Sequence, residues 1–258
     1  MGRGWLLYAG PLATTRPHAH HAFQVMLTGG RPFALVDGAG ETTDARTLVV
    51  PPGAPHAVAT TSDAAVLLHV DPDTLEGRSL KALGLTPAAA SWAGPTGGLH
   101  PLTRTPLPRR WEEGEALAQA ILSGLLGRAP RPVPVHPALQ RALRVLPAHL
   151  EAEDVRLGAL AAAVGLSPDR LSHLFADELQ LGFRPYVLWL RLQRAAAFLS
   201  RGGTLTEAAH AAGFSDSAHL SHTFRRMFGL APSRLAHAVE WVLPPSEARS
   251  PGGPGGQT

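Results

Sequence analysis

The chain has 258 residues, 45% of them hydrophobic and 17% charged, which excludes a mainly disordered protein and leaves room for one large domain or two ordinary ones. No apolar run reaches the ~18–20 residues of a membrane span, the first twenty residues lack an apolar core long enough for secretion, and there is no cysteine for disulfides, thiolate metal sites or thiol nucleophiles. A cytoplasmic protein is expected. Net charge is +3 with Lys81 the single lysine; residues 1–127 carry nine basic against ten acidic groups and residues 136–243 eleven against nine, too small an excess to establish nucleic-acid binding by charge alone.

In chain order, the first seventy residues are rich in turn signals at Gly29-Gly30, Asp37-Gly38 and Pro51-Pro52-Gly53. Between them lie the short apolar runs Phe23–Leu27, Phe33–Val36, Leu48–Val50 and Val66–Val70, which suggest a small antiparallel β barrel or sandwich. Ahead of the first run stand His18, His20 and His21. On a strand, residues two apart share a face, so His18, His20 and Gln24 would project together. His56 follows the Pro/Gly turn and could return to them from another strand. Three imidazoles and one oxygen ligand suit a divalent metal such as Zn, Ni or Fe if they converge. Hydrogen-bonded pocket liners around an organic effector are the alternative. His69, inside an apolar run, reads as a satisfied core histidine.

Trp111 to Leu126 places Leu117, Ile121, Leu122 and Leu125 at helical spacing with acids in the first turn, although Gly114 and Gly124 weaken it. This helix either packs on its own β domain or forms a homodimer interface. Residues 128–137, RAPRPVPVHP, hold four prolines and read as a semi-rigid linker. Residues 244–258 read as a disordered tail.

After the linker the spacing becomes helical. Leu157, Leu160, Ala161 and Val164 share one face, Gly165 ends that helix, and Ser167 with Pro168 starts the next, which buries Leu171, Leu174 and Phe175. This is a helix-turn-helix, whose second helix can enter a DNA major groove. The pattern recurs 48 residues on: Gly213 corresponds to Gly165, Ser215 to Ser167, Leu220 to Leu171 and Phe224 to Phe175. A helix over residues 185–200 joins the copies. At about 24 Å long, it could hold the two second helices roughly one DNA turn apart.

The stretch FRPYVLWLRLQRAAAFL followed by LTEAAHAAGFSDSAHLSHTFRRMFGLAPS resembles the DNA-binding domain of AraC/XylS transcription regulators. The resemblance covers residues 157–235. It implies two tandem units bound in adjacent major-groove segments of double-stranded DNA. Base-reading positions carried over fall on Asp169, Ser172 and His173, and on Ala218, His219, Ser221 and His222, with Arg170, Arg225 and Arg226 available for phosphates or bases. His173 and His222 stand where the family often has arginine, and Gln180 where it favours glycine.

The pattern H-x-H-x3-Q followed by P-x-G-x2-H is similar to the two cupin motifs, which supply His, His, Glu and His to a metal; His18, His20 and His56 fit, and Gln24 replaces the glutamate. The joint resemblance implies a two-domain α+β protein: a cupin-like β barrel as sensor over residues 1–106, then the linker and an all-α domain with two helix-turn-helix units over 138–243, with 107–127 between them as a candidate dimerisation helix. The expected function is a DNA-binding transcription regulator, nucleoid-associated when bound, controlled by a small-molecule or metal effector. The alternative is a metal-dependent cupin enzyme, an oxygenase or isomerase, but Gln24 removes its obvious acid-base group. A non-enzyme is therefore expected.

Overall fold

The computed structural model describes residues 4–127, 134–150 and 155–228. Seven strands come first: β1 (Trp5–Leu12), β2 (Phe23–Thr28), β3 (Phe33–Asp37), β4 (Thr42–Ala45), β5 (Thr47–Val50), β6 (His56–Val58) and β7 (Ser62–Val70). The four apolar runs of the sequence are strands β2, β3, β5 and β7. They form two antiparallel sheets, β1-β7-β2-β5 and β4-β3-β6, rather than one closed barrel. Of barrel and sandwich, the open sandwich is what forms. Strand β6 has only three residues and β4 only four, which leaves the smaller sheet too short to wrap onto the larger.

The sandwich core lies between the sheets, where Met26, Leu48, Val50, Ala65 and Leu67 of the large sheet meet Phe33, Leu35 and Val58 of the small one. Strand β2 is buried on both faces, because its other side carries Phe23, Val25 and Leu27 into a second core. That second core is covered by α1 (Leu75–Lys81), by a 3-10 segment over Gly94–Arg104, and by α2 (Trp111–Leu126). Leu117, Ala118, Ile121 and Leu125 of α2 face the sheet, and Trp111 stacks on Trp5 with ring centroids 5.5 Å apart. The apolar stripe of α2 thus serves its own domain, the first of the two alternatives, and its outer side shows Glu112, Glu113, Ala116, Gln119 and Ser123. Gly124 is explained by closeness: a side chain there would meet the Gly98 carbonyl oxygen at 2.9 Å.

Residues 134–136 lead directly into the helical domain, the rest of the proline segment lying outside the described residues. Helix α3 (Pro137–His149) starts at the proline placed last in the linker, with His136 as its cap. Then come α4 (Leu157–Val164), α5 (Pro168–Leu179), α6 (Phe183–Leu199), α7 (Leu205–Ala211) and α8 (Ser217–Phe228). The first helix pair packs with α3 around Leu171, Phe175 and Tyr186; the second pair forms a separate core around Trp189, Leu192, Leu220 and Phe224. Helix α6 contributes to both cores and ties the copies together. None of the described helices is long and apolar enough to cross a membrane. The expected tail, 244–258, lies outside the described residues.

Candidate functional site

The turns of the two helix pairs follow the expected chemistry with one correction. Gly165 adopts φ +74° and Gly213 φ +77°, conformations that cost a side-chain-bearing residue 1–2 kcal/mol or so. Ser167 caps α5 by accepting from the Arg170 backbone N–H at 3.2 Å. The matching cap of α8 is Asp216, not Ser215: its Oδ1 accepts from the His219 N–H at 2.7 Å. The second turn is one residue longer, so caps and core positions repeat at 49 residues, the spacing of Leu171 to Leu220 and of Phe175 to Phe224. Ser215 instead lies 3.2 Å from His219 Nδ1, and the His219 ring stands edge-on to Phe214.

The residues proposed from sequence to contact DNA lie on the exposed sides of α5 and α8 or at their margins. Asp169, Arg170, His173, Ala218, His219, His222, Arg225 and Arg226 are exposed, and Ser172 and Ser221 are half-buried at the margins. Gln180 keeps the conformation its glycine-favouring position demands, with φ +55°; no other non-glycine among the described residues has positive φ. The chain therefore leaves α5 as a glycine would let it, at the expense of strain.

The second constellation is buried. His18, His20 and His56 each offer a ring nitrogen within 4.8 Å of the others, and all three are sequestered from solvent. They do not converge by strand parity. His18 sits on an isolated bridge to His56, with backbone bonds of 2.9 and 2.8 Å, and His20 lies in the loop before β2. His56 Nδ1 faces the Ala54 carbonyl at 3.0 Å and His18 Nδ1 the Arg16 carbonyl at 2.8 Å. A carbonyl only accepts, so in each neutral ring Nδ1 carries the hydrogen and Nε2 holds the lone pair.

Several buried atoms here lack a hydrogen-bond partner: both nitrogens of His20, His56 Nε2, both nitrogens of His69 and Gln24 Oε1. Such groups are costly to bury unpaired, by about 1–3 kcal/mol each. Burial, reinforced by neighbouring imidazoles, holds His20 well below the usual histidine range and pushes His56 and His69 down to about 3. The rings are neutral at pH 7, the form that binds metal. His69, read from sequence as a satisfied core histidine, is not satisfied. It pairs in register with Gln24 across β2 and β7, and its ring lies 5.0 Å from that of His20.

Sequence reasoning also missed what lies beyond His69. Helices α6 and α8 pack on this end of the sandwich: Phe228 lies 5.5 Å from His69 and 6.4 Å from His20, and Trp189 lies 6.3 Å from His69, between ring centroids. Asp71 Oδ1 accepts from Trp189 Nε1 at 2.8 Å and from Gln193 Nε2 at 2.5 Å, and Asp73 bonds the Tyr186 hydroxyl. His21 Nδ1 meets the Pro185 carbonyl at 2.7 Å, and Lys81 donates to the Asp177 carbonyl. No local pattern announces contacts between residues more than ninety positions apart. The one available signal was a polar pair, Asp71 and Asp73, closing an apolar strand.

Residues 160–238 match the family described as helix-turn-helix domain. Similar curated proteins include the HTH-type transcriptional regulator GlxA of Rhizobium meliloti (strain 1021), 35% identical over 101 residues, 39% of this chain and 31% of that protein. Another is the transcriptional activator NphR of Rhodococcus sp, 32% identical over 127 residues, 48% of this chain and 38% of that protein. The chain spans about a third of the length of these curated relatives. Among solved structures, apo ToxT from Vibrio cholerae strain SCE256 has a TM-score of 0.59 at 10% identity, over 90% of this chain and 97% of that one. The unsaturated fatty acid-bound form of ToxT gives 0.56 at 10% identity, over 91% and 95%. That likeness is one of fold, and it extends across both domains. With the duplicated turns, the exposed second helices and the family match, residues 160–238 are an AraC-type helix-turn-helix domain similar to those of these regulators.

Proposed function

We propose that the chain is a sequence-specific, DNA-binding transcription regulator controlled by an effector held in its N-terminal domain. The carrying observation is the duplicated helix-turn-helix with both second helices exposed along their outer sides. Asp169, Ser172, His173, Ala218, His219, Ser221 and His222 read base edges in adjacent major-groove segments, and Arg170 and Arg225 serve phosphates. Phosphate contacts give the affinity and its salt dependence; base edges set the sequence. The regulators among its relatives support this reading, whereas nothing in them supports the oxygenase or isomerase alternative. Selection of bound duplexes from a random pool tests it. A recovered pair of motifs spaced by one DNA turn is expected, and recovery of unrelated sequences would refute it.

The effector in this reading is a divalent metal, Zn, Ni or Fe, held by His18, His20 and His56 with Gln24 as a neutral oxygen donor. The support is the convergence of three buried imidazoles, in which both nitrogens of His20 and the Nε2 of His56 lack partners, in a spacing similar to the cupin motifs. Such a site supplies charge and rigidity rather than chemistry. An organic effector is the second reading, favoured by the fatty acid bound to ToxT, a protein of like fold. Pairing of half-sites by a homodimer completes the proposal. Because the apolar stripe of α2 faces its own sheet, pairing through Trp111–Leu126 must use the polar outer side, and sedimentation at micromolar concentration decides it.

A further inference from the structure

We infer that the histidine centre is an interdomain site, closed by Trp189 and Phe228 of the DNA-binding domain, so that divalent-metal binding and DNA binding are linked. The inference rests on the metal reading of that centre and adds its regulation. Three observations carry it. The first is position: Phe228 is the last described residue of α8, the second reading helix, and its ring packs on His20 and His69 at 6.4 and 5.5 Å. The second is continuity. His20 touches His69, His69 touches Trp189, and Trp189 reaches Phe228 at 6.3 Å, so one chain of rings runs from the buried nitrogens into α6 and α8.

The third is the clamp beside it. Asp71, two residues after His69, binds the indole of Trp189 and the amide of Gln193 from a buried position. His21, next to His20, holds the Pro185 carbonyl near the start of α6. Helix α6 contributes to the cores of both helix-turn-helix units, so the clamp grips the element that sets their mutual placement. Ala22 even joins the core of the second unit.

The physical consequence follows from solvent access. A hydrophobic wall around a metal site controls its access to water and its local dielectric, and loss of the groups that orient the ligands from outside weakens binding by about 10–100-fold. Here that wall belongs in part to the DNA-binding domain. Any shift of α6 and α8 on DNA therefore alters the surroundings of His20 and His69. By linkage, the ion alters DNA affinity by the same factor. Metal binding favours the docked arrangement, in which Phe228 and Trp189 cover the rings.

The test uses the full chain, Zn2+ and a duplex selected from a random pool. Zn2+ affinity is measured by calorimetry for wild type, Phe228→Ala, Asp71→Ala and His20→Ala, each checked for native circular dichroism. DNA affinity is measured with and without Zn2+. The expected result is one strong Zn2+ site in wild type, lost in His20→Ala and weakened about tenfold in both Phe228→Ala and Asp71→Ala. Zn2+ is expected to shift wild-type DNA affinity at least fivefold or so, and much less in the two docking variants. Asp71→Ala guards against misfolding of Phe228→Ala, since it removes a clamp without opening either domain core. Equal Zn2+ affinity in wild type and both docking variants, with DNA affinity indifferent to Zn2+, would overturn the linkage and leave the metal site standing. No Zn2+ binding to wild type would overturn both.

Discussion

The histidines of the sandwich and those of helices α5 and α8 are the same residue in opposite settings. His20, His56 and His69 are all but excluded from water, with ring nitrogens that lack partners. His173, His219 and His222 stand exposed on helices whose buried sides are mainly leucine and phenylalanine, with Thr223 and Met227 in α8. The difference teaches that position, not residue type, decides what an imidazole can do. Exposed, it can offer a hydrogen-bond donor to a base edge. Buried with its charge suppressed, it is a lone-pair donor that must find a ligand or remain at a cost.

The largest expected effect lies on the buried side. Zn2+ at a hundredfold excess over its dissociation constant should raise the stability of wild type by about 2.7 kcal/mol and that of His20→Ala by nothing, as read from thermal unfolding. An equal rise in both would remove the contrast.

Next comes the exposed side. His222→Ala should weaken binding to the selected duplex by about 1–3 kcal/mol while leaving binding to random DNA unchanged. Arg225→Ala should weaken both alike and reduce the salt slope by about one. Filter-binding or anisotropy titrations across a salt series separate the two. Equal losses for His222→Ala on both DNAs would reassign that histidine to phosphate contact.

Acid sharpens the comparison. In the metal-free chain, His56 and His69 have folded values of about 3, below the ordinary 6.5, so the unfolded chain binds protons first. Their contribution is complete above about pH 6.5 and is lost as pH falls toward 3, at up to about 1.4 kcal/mol per unit for each ring. Asp71, pushed up to about 6 mainly by burial, acts in the opposite sense: its folded form keeps a proton longer, so its term fades as pH rises from 3.8 through 6. With more imidazoles than carboxyls in the balance, denaturant midpoints should fall from pH 6.5 to 4. A flat profile over that range would contradict this.

The smallest effect concerns Gln180. Relieving its left-handed conformation with Gln180→Gly should raise unfolding free energy by about 1 kcal/mol without altering DNA selectivity. A loss of stability would mean that the side chain contributes more than its strain costs.

What the sequence disclosed follows the range of the interactions involved. The turns at Gly165 and Ser167, the apolar sides of α4 and α5, and the strands β2, β3, β5 and β7 are set by neighbours a few residues apart, and periodicity reveals them. The cap at Asp216 was misplaced by one residue because the second turn is longer, although the 49-residue offset of Leu220 and Phe224 already carried that signal. The candidate metal ligands His18, His20 and His56 were found by motif, but the reason they meet was misread: a bridge and a loop, not one strand face. Strands β4 and β6 were invisible, being short and, in β4, polar. His69 looked like an ordinary core residue because its missing partners can be seen only once β2, β7, α6 and α8 are packed. The interdomain clamp could not be read at all, since Asp71 and Trp189 are 118 positions apart.

The account turns on whether the buried histidines hold a metal, and native mass spectrometry of the untagged full chain tests this most directly. It predicts one divalent ion per chain in wild type, absent from His20→Ala and from His56→Ala while both remain folded. A folded wild-type chain that carries no ion and takes up none from Zn2+, Ni2+ or Fe2+ would contradict it.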